Sequence, residues 1–268
     1  MPFITIDQTR YHYAEMGTGQ PMLLLHGFTG CAQSWAEVMK PLSLKHRVVA
    51  IDLPGHGLTQ APDDVAQDVT QFAMPVVSQQ VASFITTLIG TPVHLVGYSM
   101  GGRLALHVAL EHPAWVQRLI LESASPGLEA TDERAARVAS DEALAQRIER
   151  DGIAAFVTEW ERLPLWRSQQ VFAEEKRMRL RAQRLQNNAR GLALSLRGMG
   201  TGMQPALWHR LGELRMPTLL LAGELDAKFV AIARRMAAAM PQSLLCVIPG
   251  AGHTTHLEQP EAFVAHLG

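Results

Sequence analysis

The sequence predicts an α/β protein: a mostly parallel central sheet with helices on both faces and an inserted helical lid. Three observations predict it. Short apolar runs of strand length alternate with segments patterned at helical spacing. One such run, Pro92-Val93-His94-Leu95-Val96, enters the turn Gly97-Tyr98-Ser99-Met100-Gly101, and a helical pattern over 103–110 leaves it. The alternation also breaks once. Almost a hundred residues separate the strand ending near Glu122 from the strand starting near Thr218, far more than one crossover needs.

Taken in order, residues 3–15 alternate as a β-hairpin does. Strand-like runs follow near 22–26, 47–51, 93–98, 118–122, 217–222 and 243–248. Helical patterns lie between or after them, near 34–44, 77–89, 100–111, 228–239 and 259–267. The long gap reads mostly as helix, rich in Arg, Glu, Ala and Gln. This gives a core of residues 1–128 and 206–268 with a lid at 129–205. No internal repeat or low-complexity tract interrupts the pattern.

Composition narrows the function classes. The chain has 268 residues, 47% apolar and 18% charged, which suits one globular domain with an insertion. A formal net charge of −1 gives no sign of nucleic acid or an anionic membrane as partner. No apolar run reaches the roughly 18 residues that a membrane span needs. The opening Met1-Pro2-Phe3-Ile4-Thr5-Ile6-Asp7 lacks the basic and apolar regions of a leader, so a cytoplasmic location is expected. Cys31 and Cys246 have no metal-ligand spacing. They read as free thiols in a reducing compartment.

The chemistry gathers at strand ends. Ser99 sits at the tip of a strand–turn–helix elbow, and the flanking Gly97 and Gly101 remove Cβ atoms where the turn crowds its neighbours. The helix start beneath it supplies free N–H groups and partial positive charge. A serine hydroxyl needs a base to take its proton. Two later strands each end in a suitable turn: Leu219-Leu220-Leu221-Ala222-Gly223-Glu224-Leu225-Asp226 and Leu244-Leu245-Cys246-Val247-Ile248-Pro249-Gly250-Ala251-Gly252-His253. Loops at the C-terminal ends of parallel strands share one sheet edge, so His253 can reach Ser99 and Asp226 can fix the histidine tautomer. Glu122 and Asp52 also end strands, and both read as structural acids. An oxyanion hole needs two backbone donors. Met100 follows the serine, and Phe28, in the Leu25-His26-Gly27-Phe28 loop, is the second choice. His26 reads as a structural histidine holding loop carbonyls.

Together, His26-Gly27, Asp52-Leu53-Pro54-Gly55-His56-Gly57, the elbow, Asp226 and Gly250-Ala251-Gly252-His253 resemble the α/β-hydrolase superfamily over nearly the whole chain. Further residues narrow the resemblance. Arg103 stands four residues after Ser99, and Glu122-Ser123-Ala124-Ser125-Pro126-Gly127-Leu128 leads into the arginine-rich lid. Asn187-Asn188 precede Gly191-Leu192-Ala193, and Gly223-Glu224-Leu225-Asp226-Ala227-Lys228-Phe229 closes the acid turn. With these the chain resembles the 2-succinyl-6-hydroxy-2,4-cyclohexadiene-1-carboxylate synthases of menaquinone biosynthesis.

That resemblance implies a lyase that expels pyruvate from 2-succinyl-5-enolpyruvyl-6-hydroxy-3-cyclohexene-1-carboxylate, with Ser99 and His253 as the base and with no metal or organic cofactor. The implied partner is a small polycarboxylate. Arginine holds carboxylates in bidentate geometry better than lysine does, and the 129–205 segment carries twelve arginines against one lysine. Arg103 lies one helical turn after Ser99 and can face the same pocket. Arg137 and Arg184 match the family's substrate-binding arginines, while Tyr98 and Trp160 match its other contacts. Neighbouring arginines at 134, 147, 150, 181 and 190 compete for the lid assignments. The rival functions are hydrolysis of an ester or carbon–carbon bond in a small carboxylate, and ligand reception without turnover. Pyruvate release without uptake of water separates the lyase from the hydrolase.

Overall fold

The computed structural model describes residues 2–60 and 68–268. Its first elements are β1 (Phe3–Ile6), β2 (Thr9–Met16), β3 (Gln20–Leu25), α1 (Ala36–Leu42), β4 (His46–Ile51), α2 (Met74–Phe84), β5 (Val93–Tyr98), α3 (Met100–Glu111) and β6 (Val116–Glu122). The insertion follows, with α4 (Thr131–Trp160), α5 (Glu174–Leu185) and α6 (Ala189–Met199). The chain then returns to the core through β7 (Thr218–Gly223), α7 (Ala227–Ala239), β8 (Ser243–Ile248), α8 (Thr255–Glu258) and α9 (Pro260–Leu267).

Among the described residues the strands form one eight-stranded sheet in the order β1-β2-β4-β3-β5-β6-β7-β8. The opening hairpin and its join to β4 are antiparallel; every pairing from β4 onward is parallel. The central strands are accordingly apolar over most of their length. Met22, Leu23, Leu24 and Leu25 are all fully buried, as expected for strands covered on both faces. Side-chain alternation sends Leu23 and Leu25 into a core with Val77 and Leu104, and Met22 and Leu24 into a second core with Trp35 and Phe263. Strand order reverses at β3, which lies between β4 and β5. The loops leaving β3 and β5 therefore diverge and open a crevice at the C-terminal edge, where α/β sheets bind ligands.

The helices between β6 and β7 share a small core, in which Ala145, Ile148, Phe156, Val157 and Leu192 pack together. Gly152, at φ +80°, breaks the long α4 run. Element boundaries move slightly from those expected. The 34–44 pattern begins as a 3-10 turn over Ala32–Trp35. The 77–89 pattern starts earlier, at Met74, and its last turn widens so that Gly90 N–H reaches the Ile85 carbonyl at 2.8 Å. The short α8, directly after His253, had no sequence signal. Among the described residues no helix is long and apolar enough to cross a membrane. Cys31 and Cys246 are unpaired.

Several histidines are buried or half-buried where no cation belongs. Burial pushes His26 down despite nearby Asp52. Burial, then the neighbouring His26, pushes His56 well down. His94 falls to about 4, through burial first and then His46 and Arg118. Unfolded, these rings titrate near pH 6.5. Below that the unfolded chain binds more protons than the folded one, so stability holds above about pH 6.5 and falls as pH drops toward 4. Urea midpoints measured across that window should decline, and His94→Gln should flatten the decline. A slope unchanged by that substitution would contradict a neutral folded His94.

Candidate active site

The elbow is built by close backbone contact. A Cβ on Gly97 would stand 2.3 Å from the Gly101 carbonyl oxygen, and one on Gly101 would stand 2.2 Å from that of Leu25. Only glycine lets β3, β5 and α3 approach this closely. Ser99 consequently sits at φ +50°, ψ −108°, a conformation a non-glycine residue adopts only when its surroundings enforce it. Its N–H donates to the Glu122 carbonyl at 2.8 Å, and its own carbonyl accepts from Arg103 N–H at 3.0 Å. Strand β6 and the first turn of α3 thus hold the strained residue from both sides.

His253 arrives from the loop after β8. Its Nε2 lies 3.1 Å from Ser99 Oγ, and its Nδ1 lies 2.7 Å from Asp226 Oδ2. The histidine and aspartate side chains are 3% and 10% exposed, so little water competes for these bonds. Asp226 also caps α7, its Oδ1 accepting from Phe229 N–H at 3.3 Å. Cap and histidine partner are therefore one residue with its two oxygens divided. Phe229 meets the His253 ring edge-on with centroids 4.6 Å apart, and Trp166 does so at 6.0 Å. The imidazole is walled by aromatics and reached by polar atoms only where Asp226 and Ser99 stand.

Ser99 opens on a cavity of about 320 Å³ whose walls come from both the core and the insertion. Phe28, Tyr98, Met100, Arg103, Arg137 and Trp160 all line it. Met100 is the first residue of α3, so its N–H has no partner within the helix. The Gly27–Phe28 loop lies against the elbow: a Cβ on Gly27 would stand 2.6 Å from the Tyr98 ring and 3.4 Å from Ser99 Cβ. Tyr98 hydroxyl shares a 2.8 Å hydrogen bond with Thr254 Oγ1, and burial keeps it protonated by pushing its pKa well up.

The arginines divide. Arg103 is buried, and its Nη1 donates to the Met199 carbonyl at 2.8 Å and to Gln204 Oε1 at 3.0 Å. Both acceptors are neutral. Burial, then the nearby Arg137, lowers its pKa to about 10, with Asp141 opposing; it stays charged at neutral pH. Arg137 is half satisfied, its Nε on Asp141 Oδ1 at 2.8 Å. Arg184 is not brought into the cavity. Its guanidinium pairs with Glu161 at 2.9 Å, donates to Gln169 at 3.3 Å and lies over the Trp166 ring, which forms the cavity wall. Glu161, also bonded to Arg181, competes for Arg184 in a way no single-chain pattern reveals. Trp160 packs on Phe28 and Phe156, yet its buried indole N–H has no acceptor among the described residues.

The two other strand-end acids are engaged elsewhere. Asp52 accepts from Ala32 and Leu58 N–H groups and faces His12, while His26 ties the Gly27 carbonyl to the Leu53 N–H. Glu122 faces His256. Cavity residues to which the sequence reading gave no site role include Asp141, and Lys228 and Phe229, quoted only as part of the acid turn. Phe229 had a signal, since it stands one turn past the capping Asp226. Among the described residues no group of three or more His, Cys, Asp or Glu side chains is placed to hold a metal ion.

A family model described as the alpha/beta hydrolase fold matches residues 20–260. A Bacillus subtilis protein provisionally named 2-succinyl-6-hydroxy-2,4-cyclohexadiene-1-carboxylate synthase is 45% identical over 96% of this chain and 93% of its own. The Escherichia fergusonii protein of that name is 34% identical over 95% of this chain and 96% of its own. Among solved structures, MenH from S. aureus superposes with a TM-score of 0.89 at 36% identity, covering 96% of both chains.

Proposed function

Because the chain belongs to the 2-succinyl-6-hydroxy-2,4-cyclohexadiene-1-carboxylate synthase family, on the α/β-hydrolase fold, we propose that Ser99, His253 and Asp226 carry that family's elimination. The chain is a carbon–oxygen lyase of menaquinone biosynthesis that releases pyruvate from 2-succinyl-5-enolpyruvyl-6-hydroxy-3-cyclohexene-1-carboxylate. Ser99 Oγ takes the proton from the ring carbon beside the succinyl ketone as its own proton passes to His253 Nε2. The electron pair enters the ring, the ring double bond shifts one place, and the bond to the enolpyruvyl oxygen breaks. The departing enolpyruvate collects the proton and becomes pyruvate. Asp226 stabilises the imidazolium meanwhile. The N–H groups of Phe28 and Met100 hold the ketone oxygen as it gains charge. Water is not consumed.

The observation that carries this reading is Arg103. Among the described residues its guanidinium hydrogen-bonds to neutral acceptors, with Asp141 a nearby charge that does not bond to it; so placed it is costly unless a further anion pairs with it, and it shares the cavity with Ser99. An apolar ester has no use for it; a polycarboxylate does. Arg137 adds a second cation, the free Trp160 N–H adds a donor, and Tyr98 lines the wall beside Ser99. The helical insertion, 129–205, serves as the lid. Arg184 joins only when it leaves Glu161 and passes Trp166, which makes it a residue of the closed lid.

The direct test follows pyruvate from the enolpyruvyl substrate in ¹⁸O-labelled water. Pyruvate together with a conjugated diene that has lost the oxygen which bore the enolpyruvyl group supports elimination; a ring product that keeps that oxygen as a hydroxyl, or carries label as a new hydroxyl or carboxyl oxygen, would favour the hydrolase. Arg103→Ala should lower kcat/KM by about 10–100-fold, the loss of a charged hydrogen bond worth roughly 1.5–3 kcal/mol. Arg184→Ala should cost less, because Arg184 gives up its Glu161 partner to bind. A change under about twofold for Arg103→Ala, the range of an exposed ion pair, would remove Arg103 from the site.

A further inference from the structure

Glu122 is a fully buried carboxylate for which the reaction above has no use. It closes β6, between the strand carrying Ser99 and the strand carrying Asp226. Its Oε1 accepts from Thr255 Oγ1–H at 2.6 Å and from His256 N–H at 3.0 Å, and its Oε2 faces His256 Nδ1 at 2.7 Å. Its backbone carbonyl accepts the Ser99 N–H. One residue therefore grips the nucleophile's backbone with its main chain. With its side chain it grips the segment two and three residues beyond His253.

The grip is stiff. His256 is 1% exposed, stacks on Trp35 with centroids 4.1 Å apart, and receives the edge of Tyr98 at 5.0 Å. The loop before His253 is not stiff by composition: Gly250 and Gly252 flank Ala251, and Gly250 sits at φ +67°. A buried acid–histidine pair is a poor source of stability, because desolvation offsets its attraction and apolar replacements of similar volume are often neutral or better. What it supplies is direction, since the three donors fit one placement of the 253–256 segment.

We propose that Glu122 is a positioning residue for His253. Through Thr255 and His256 it anchors the histidine loop to the strand end that also holds Ser99, and so sets the 3.1 Å separation of His253 Nε2 from Ser99 Oγ. The proposal rests on Ser99 and His253 being the reacting pair.

Glu122→Leu removes all three side-chain acceptances and keeps the Ser99 bond. A displacement of about 1 Å at a reacting pair costs on the order of 100-fold, so kcat should fall by about that factor with KM changed little. Glu122→Gln, which still accepts from Thr255 and His256 N–H and can donate to a neutral His256 Nδ1, should recover most of the loss. Thr255→Val removes one donor and should fall between them. Each protein is also treated with a fluorophosphonate, whose labelling of Ser99 depends on His253 and not on the natural substrate. Labelling should slow in parallel with kcat. Failure of pyruvate release in the unmodified protein with brisk labelling would count against the lyase reading alone. Folded Glu122→Leu labelling at the unmodified rate would overturn the positioning role. Should Glu122→Leu not fold, Thr255→Val labelling at the unmodified rate would overturn it equally.

Discussion

Ser99→Ala is expected to lower kcat for pyruvate release by about 10²–10⁴-fold, the range that a positioned base supplies, while the fold and substrate binding persist. His253→Ala should do the same, and the double variant should lose little more than either single one. The reason lies in the geometry. With His253 Nε2 3.1 Å from Ser99 Oγ, the hydroxyl is a base only while the imidazole can accept its proton, so the two atoms perform one transfer. Removing either ends it, and removing the second has nothing left to end. What survives is the binding cavity with its oxyanion donors and Arg103, which should still hold the substrate. Pyruvate release from the three variants, with binding measured separately by calorimetry, decides it. Losses that multiply in the double variant would mean that serine and histidine act on different steps.

The legible parts of this molecule are those that depend on local sequence and strand topology. Ser99, Asp226 and His253 each follow an apolar strand run and sit in a turn. Parallel strands end on one edge, so their proximity could be inferred without any side-chain detail. The elbow was legible for the same reason: Gly97 and Gly101 are demanded by backbone approach, which is a property of the chain's own path. The helices between β6 and β7 were legible as an interruption of spacing. What was not legible is partner choice between distant side chains. Arg184 matches a binding position by resemblance, yet Glu161 holds it outside the cavity, and nothing in the pattern ranks an ion pair within the insertion above a ligand. Glu122 read as a structural acid, but nothing in the pattern points to His256 as its partner. Only the fold brings the end of β6 beneath α8. Asp141 reaches the cavity from a helix whose rotation about its axis depends on packing, which periodicity constrains only coarsely.

Asp226→Asn separates two duties that one carboxylate performs. Asp226 Oδ1 caps α7 and Oδ2 orients His253. Asparagine caps helices about as well as aspartate, whereas alanine costs about 0.5–2 kcal/mol at such a position. Asp226→Asn should therefore melt close to the unmodified protein, and Asp226→Ala should melt lower. Activity should not follow stability. The asparagine carboxamide can present its N–H₂ to His253 Nδ1. The ring then places its proton on Nε2, where it cannot accept from Ser99, and the negative charge that stabilises the imidazolium is gone. A loss of about 10²–10⁴-fold in kcat is expected for Asp226→Asn, comparable to removing the base itself, with a melting temperature that barely moves. Asp226→Ala should be no more active despite its greater instability. Glu122 cannot substitute, since both of its oxygens are committed to Thr255 and His256. Near-normal turnover in Asp226→Asn would show that the imidazole needs no anionic partner in this reaction, and that Asp226 is in the first place the cap of α7.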